Sequence, residues 1–212
     1  MKKYPNPSVK QLRVAFNDHR VCYVEYNSAR TRHRGNRTTP WPALLRAVTV
    51  HHTAGKNSLH YLANENGWLP FCNNIISNGR YNDTDGVATI YAWGAVWHSG
   101  DGGPWPTVAA RNSLHLVSWG IEIESLGNKQ DITDKQIETT SRIIAALRDI
   151  GIPRQHVHRH ADWTDGTAGV GVDAAAHGVP TPFPTKGRKI DTNVRWYPTD
   201  FWKDHSDKYL AK

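Results

Sequence analysis

The sequence predicts a single α/β domain in which a mixed central β-sheet is flanked by helices. Three observations carry this prediction. Short runs of β-branched residues alternate along the chain with segments of helical period, as in strands connected by helices. Two of the runs are close enough to form a hairpin, which adds an antiparallel pair to the sheet. The chain has 212 residues, enough for one domain with a buried core.

The first half of the chain contains three predicted strands and two predicted short helices, the second of them near residues 58–64. Ser8 and Gln11 form a capping box, which begins a short helix towards Phe16. The three strand candidates are the segments 46–53, 71–77 and 87–93. The first of them reads RAVTVHHT, a β-branched run that ends in polar residues. It therefore predicts a buried strand whose end opens on a functional site.

The second half contains a fourth strand and two helices. The segment 118–125 (SWGIEIES) alternates isoleucine with glutamate, so Glu122 and Glu124 are predicted to share one face. The segment 133–150 has apolar residues at helical spacing, opens with a capping box and is followed by glycine, which predicts a helix. The segment 195–202 is interpreted as the start of a closing helix.

Composition along the chain suggests two departures from a compact core. Residues 1–40 are predicted to be an N-terminal extension packed on a main domain of residues 41–212. Residues 162–187 are rich in Gly, Ala, Thr and Pro without a period, which predicts a long inserted loop. No apolar run follows the first lysines and no stretch approaches the roughly 20 apolar residues of a membrane span, so neither a signal peptide nor an integral membrane segment is expected.

The residue content narrows the class of partner. The net charge of +7 suits an anionic partner, such as nucleic acid, a membrane surface or a bacterial cell wall. No nucleic-acid-binding motif accompanies it, so nucleic acid is not expected. The two cysteines exclude a disulfide framework. Twelve histidines and nine tryptophans are unusual, since histidine is a common zinc ligand and tryptophan offers a flat platform for carbohydrate or peptide. Each tryptophan taken singly is nevertheless interpreted as an ordinary core or surface residue.

Histidines and an aspartate from three distant segments are candidate metal ligands. His51 and His52 end a predicted strand on opposite faces, so only one of them suits a shared site. His158 and His160 share a face in an extended segment, and Asp191 offers a carboxylate. A catalytic zinc ion needs three protein ligands and one open position. Because no tight metal-binding spacing occurs, spacing alone leaves a metal site and a set of packed histidines both open.

Short motifs recur in a fixed order between about residues 44 and 200. They are VTVHHTA at 48–54, WHSG at 97–100, GIEIE at 120–124, HADW at 160–163 and GRKID at 187–191. In this order they resemble the type 2 N-acetylmuramoyl-L-alanine amidases, a group that includes phage endolysins, bacterial anhydro-muropeptide amidases and peptidoglycan recognition proteins. The resemblance implies the fold of that group. It also implies hydrolysis of the amide bond between N-acetylmuramic acid and L-alanine of peptidoglycan, with one zinc ion per chain.

The resemblance gives a role to each matching position. His51, His160 and Asp191 correspond to the zinc ligands, and such a His-His-Asp set leaves one position for water. Glu122 corresponds to the carboxylate that takes the proton of the attacking water. Lys189 corresponds to a lysine that stabilises the developing oxyanion.

Other positions are expected beside the catalytic set. The residues predicted to line the substrate groove are Trp97, His98 and Asn112. The residues interpreted as neighbours of the site, or left open, are His52, Cys72, Glu124 and His158. Glu124 is the alternative candidate for the proton-accepting role assigned to Glu122. Cys72 stands where many relatives have a tyrosine beside zinc, and it is interpreted as a buried small residue, although a thiol there could bind zinc or be oxidised.

Three biological roles are weighed for a chain of this kind. A phage endolysin, made in the host cytoplasm and released to the wall after holin-type permeabilisation, fits the basic charge and the expected lack of a signal peptide. A cytoplasmic muropeptide-recycling amidase has less use for a basic surface. An inactive peptidoglycan-binding module is disfavoured because Glu122, Lys189 and Asp191 are all retained. The expected partner is peptidoglycan, and the expected state is a monomer.

Overall fold

The structure of the protein is a computed structural model. It describes residues 5–26, 41, 44–53, 62–63, 70–79, 84–98, 108–109, 113–126, 131–160 and 197–210. Three α-helices have both ends within these ranges: α1 (Val9–Asp18), α2 (Asp134–Asp149) and α3 (Thr199–Asp207). Short 3-10 helices span Leu114–Leu116 and Arg154–His156. The strands are β1 (Tyr23–Glu25), β2 (Ala47–His52), β3 (Asn74–Ile76), β4 (Ala88–Ile90), β5 (Ser118–Ile123) and β6 (Val157–Arg159). Of the helices described, none has the length and apolar character needed to cross a bilayer.

The strands form one mixed sheet in the order β1-β4-β3-β5-β2-β6. β3 and β4 are antiparallel, whereas the β1–β4, β3–β5, β5–β2 and β2–β6 pairs are parallel. The predicted fold class is confirmed, including the hairpin between the second and third predicted strands. The two longest strands, β2 and β5, lie side by side near the middle of the sheet, and together they carry most of the site described below.

Both predicted capping boxes are present. The Ser8 hydroxyl accepts a hydrogen bond from the backbone N–H of Gln11 at 3.3 Å, and the Gln11 side chain accepts from the backbone of Ser8 at 2.9 Å. Thr133 and Gln136 repeat the arrangement at 3.2 and 2.9 Å. Gly151 follows α2 with φ of 120°, a conformation that only glycine adopts without strain. These local signals set the bounds of α1 and α2.

One face of the sheet packs against the helices and forms the main core. Alternate residues of β2 and β5 point into it, and Trp119 lies at its centre within 5.4 Å of the Phe16 ring and 5.9 Å of the Trp93 ring. Val50 and Ile121 flank these rings and are fully buried. Because strand side chains alternate, the intervening residues of β2 and β5 all face the other side of the sheet.

Residues 5–26 contribute directly to this domain. α1 buries Leu12 and Phe16 in the main core, and β1 forms the edge of the sheet, paired with β4. β1 was not predicted from the sequence. The predicted closing helix is observed as α3, while the predicted loop at 162–187 lies outside the described residues.

Candidate active site

Polar side chains converge where β2, β5 and β6 end. The register pairs His51 of β2 with Glu122 of β5. It also pairs Val50 with Arg159, so His160, one residue beyond β6, lies level with His51. The rings of His51 and His160 have centroids 4.2 Å apart, and His51 Nδ1 is 4.0 Å from Glu122 Oε1. The carboxyl ends of parallel strands are where α/β proteins place their sites.

The site is closed on the strand side and open towards His160. His51 is 1% exposed and Glu122 is 8% exposed, whereas His160 is partly exposed. Charges act more strongly in such a surrounding than in water, because little solvent screens them. The arrangement offers two imidazoles to a cation and a buried carboxylate beside them.

His98 lies against His51 rather than on the surface. Its Nδ1 is 3.2 Å from His51 Nε2, and its Nε2 is 3.0 Å from both the carbonyl oxygen and the hydroxyl of Ser118. Burial, and then the neighbouring His51, hold the pKa of His98 well below its usual range, so the ring is neutral at pH 7. His98 is 8% exposed, so little of its side chain is accessible to a substrate.

A glycine makes room for this histidine. A Cβ at Gly120 would lie 2.5 Å from Cγ of His98 and 2.8 Å from its Nδ1, closer than atoms pack. Glycine within a strand is otherwise unfavourable, and it often marks a place where another group approaches the backbone. The imidazole of His98 is that group.

A series of buried polar side chains, within hydrogen-bond distance of one another, lies beneath the site. The Thr49 hydroxyl is 3.2 Å from the hydroxyl of Ser118 and 3.2 Å from Nε2 of His158. His158 is 2% exposed and pairs with Thr49 across the β2–β6 ladder. His158 therefore lies two residues deeper than His160 on the same face and contacts the hydroxyl chain that supports His98.

Cys72 is an interior thiol beside the site. It is fully buried, in a cluster with Leu62, Ile75 and Tyr91. Burial, and then the charge of Glu122, raise the pKa of Cys72 well above its usual range. The thiol therefore stays protonated at neutral pH, which suits the interpretation of Cys72 as a packing residue.

His52 and Glu124 occupy different surroundings from their neighbours in sequence. His52 is buried and, by alternation along β2, faces away from His51. Glu124 lies just beyond β5, where its carboxylate accepts hydrogen bonds from the Ser77 hydroxyl at 3.3 Å and the Asn78 backbone at 3.1 Å. Glu124 thus ties the end of β5 to the segment after β3.

Trp97, which precedes His98 in the chain, is an exposed aromatic residue. Trp97 is 44% exposed and stacks on the buried ring of His115, with centroids 4.5 Å apart and planes inclined by 30°. The charge of His115 is among the causes that lower the pKa of His98, so the ring beneath Trp97 lies near the site. An exposed indole face suits stacking against a sugar ring or a peptide group.

Three of the predicted site residues, Asn112, Lys189 and Asp191, lie outside the described residues. Within the part of the chain that the structure describes, no group of three His, Cys, Asp or Glu side chains is arranged to hold a metal ion. His51 and His160 are brought together there, and the third member of the predicted set is Asp191.

Sequence reasoning missed three residues that shape the site. Ser118 orients His98, Gly120 gives it space, and His115 supports Trp97. Gly120 carried a usable signal, because it interrupts a strand of otherwise bulky residues. The roles of Ser118 and His115 depend on where the chain places His98 and Trp97, and no sequence pattern indicated those positions.

Comparison with known proteins decides the family. The family model described as N-acetylmuramoyl-L-alanine amidase matches residues 40–171, more than half of the chain. The chain belongs to this family. The amidase therefore hydrolyses the amide bond between N-acetylmuramic acid and L-alanine in peptidoglycan. The matched segment contains His51, Glu122 and His160 and ends before the GRKID motif.

Several solved structures are similar to this chain, and two of the following three are named as amidases. PlyL is 15% identical, with 90% of this chain and 97% of PlyL covered and a TM-score of 0.48. The endolysin amidase LysCS from Clostridium intestinale is 18% identical, with 74% and 96% covered and a TM-score of 0.40. AmiD from E. coli, solved with an anhydro-muropeptide substrate, is 20% identical, with 77% and 66% covered and a TM-score of 0.42. No curated protein sequence matches the chain. The family assignment rests on the family model.

Proposed function

We propose that this amidase is a zinc enzyme in which His51, His160 and Asp191 hold the ion. The observation that carries the proposal is the approach of two imidazoles from neighbouring strands, with ring centroids 4.2 Å apart, beside the buried carboxylate of Glu122. Two neutral imidazoles and one carboxylate are a donor set that catalytic zinc sites use, with the fourth position left for water. The described residues fit this set at both histidine positions.

The proposed chemistry is hydrolysis with Glu122 as the proton carrier. Zinc bound at the site would lower the pKa of a water molecule towards about 7 and polarise the scissile carbonyl. Glu122 accepts the proton of the attacking water on its carboxylate and transfers it to the nitrogen of the leaving L-alanine. Lys189 stabilises the negative charge that develops on the carbonyl oxygen. The position of Glu122 beside His51 supports this assignment.

The proposed substrate groove runs past Trp97. Its indole is exposed on one face and supported by His115 on the other, which suits stacking against a flat or apolar part of the substrate. Asn112 and the edge of His98 complete the groove in this proposal. His52, Cys72, Glu124 and His158 support the site through packing and hydrogen bonds, away from the reacting atoms.

Metal analysis paired with Asp191→Ala tests the zinc proposal. We expect about one zinc ion per chain in the parent and a nearly metal-free variant, because removal of one of three ligands abolishes tight binding. Chelation should stop the release of L-alanine amino termini from peptidoglycan, and added zinc should restore it. Asp200→Ala is the control, since Asp200 is an exposed residue of α3. Unchanged zinc content in Asp191→Ala would contradict the ligand set.

We further propose that the amidase acts as a phage endolysin, made in the host cytoplasm and released to the wall by holin-type permeabilisation. The net charge of +7 supports this role, because a bacterial wall is anionic. Purified protein added to intact peptidoglycan should clear its turbidity, and the clearing should weaken as salt screens the charge. Cleavage of soluble muropeptides without clearing of intact peptidoglycan would instead indicate a recycling amidase. Zinc binding without any cleavage would indicate a binding module.

A further inference from the structure

We propose that His98 is a positioning residue that fixes the tautomer of His51 and so leaves Nδ1 of His51 as the atom that binds the metal. The inference rests on the proposed function, because it concerns how one of the proposed zinc ligands is presented. It is carried by the hydrogen-bond geometry of His51, His98 and Ser118, all of which are buried.

The first step is the proton on His98 Nε2. This nitrogen is 3.0 Å from the carbonyl oxygen of Ser118, which can only accept a hydrogen bond. The Ser118 hydroxyl is also 3.0 Å away, and it donates its own hydrogen to the carbonyl of Leu114 at 2.8 Å. Both oxygens beside Nε2 are therefore acceptors, so Nε2 carries a hydrogen.

The second step derives the tautomer of His51 from the tautomer of His98. A neutral imidazole has one N–H, so His98 with a hydrogen on Nε2 has a lone pair on Nδ1. The neutral form fits the burial of His98 among other imidazoles, since a cation there would lose its hydration. His98 Nδ1 is 3.2 Å from His51 Nε2, so His51 Nε2 is the donor of that hydrogen bond.

The third step is the lone pair left on His51. With its hydrogen on Nε2, His51 is unprotonated at Nδ1, the atom 4.0 Å from Glu122 Oε1. The ring nitrogen that binds a metal is set by the hydrogen bond that the other nitrogen makes. Here the partner is a second histidine, which is itself held by a backbone carbonyl and lies against Gly120.

The same distances allow one competing arrangement. His51 Nε2 and His98 Nδ1, 3.2 Å apart, could both coordinate one ion. His98 would then be a ligand, and His51 would bind through Nε2 instead of Nδ1. The two arrangements differ in the metal-bound protein, because His98 is a third histidine ligand in one and lies outside the ligand set in the other. Counting the histidine ligands therefore separates them.

The first test is long-range ¹H–¹⁵N NMR of the histidine rings in the metal-free protein. We expect His51 and His98 to carry their hydrogens on Nε2. In His98→Leu, which matches the size of the ring but accepts no hydrogen bond, His51 should lose this preference. His98→Asn, whose amide oxygen can accept near the position of Nδ1, should retain it. A hydrogen on His51 Nδ1 in the parent, or an unchanged tautomer in His98→Leu, would overturn the proposal.

The second test is zinc binding by competition with a chelator. His98→Leu should weaken zinc affinity by about 10–100-fold, as loss of a partner behind a ligand does, and His98→Asn should recover part of it. X-ray absorption should count two histidine ligands in the parent and in His98→Asn. A count of three that falls to two would make His98 a ligand and overturn the inference. If the parent protein binds no zinc, the proposed zinc function is refuted instead. The NMR test does not depend on that outcome, because it measures the tautomers of the metal-free protein.

Discussion

Glu122→Gln should lower kcat by about 10²–10⁴-fold while zinc content stays at the parent level. Glutamine has nearly the shape of glutamate, but its amide cannot take a proton from water or pass one to a leaving amine. The carboxylate lies beside His51 at 4.0 Å and is largely buried, so solvent does not readily replace it as the proton acceptor. The measurement is kcat for the release of L-alanine amino termini from peptidoglycan, together with zinc content.

The neighbouring carboxylate provides the matched control for this prediction. Glu124 accepts hydrogen bonds from Ser77 and Asn78, so Glu124→Gln should cost roughly 1–2 kcal/mol of unfolding free energy, with kcat close to that of the parent. The pair of variants separates proton transfer from general damage to the end of β5. A large loss of kcat in Glu124→Gln but not in Glu122→Gln would assign the base to Glu124.

The sequence was most informative where structure is decided locally. The capping boxes at Ser8 and Thr133, and the glycine after α2, each involve residues within a few positions of one another, so their geometry could be inferred from spacing. The alternation in 118–125 likewise predicted which side chains of β5 share a face. Such signals do not depend on the rest of the fold.

Strand partners and register could not be predicted in the same way. β1 has three residues, and its strand partner β4 lies more than sixty positions later in the chain. The pairing of His51 with Glu122 depends on the register between β2 and β5, which the packing of both strands sets. The family resemblance placed both residues at one site, but the distance between them is known only from the structure.

Gly120→Ala should damage the site although every proposed ligand is retained. The added Cβ would lie 2.5 Å from Cγ of His98, and the backbone of Gly120 is held by Asn73, which accepts from its N–H at 2.8 Å and donates to its carbonyl at 3.0 Å. The ring of His98 must therefore move. Overpacking of this kind costs about 1–3 kcal/mol of unfolding free energy. We also expect weaker zinc binding and a mixture of His51 tautomers, measured by chelator competition and NMR.

Gly86→Ala separates this local effect from general destabilisation. Gly86 has φ of 77°, and the three atoms nearest to an added Cβ all belong to Lys135 of α2, the closest at 2.6 Å. Its substitution should lower the unfolding free energy by a similar amount, because the conformation and the close contact both disfavour a side chain. Zinc affinity should then stay at the parent value. Equal zinc affinity in Gly120→Ala and Gly86→Ala would mean that His51 presents its metal-binding nitrogen without help from His98.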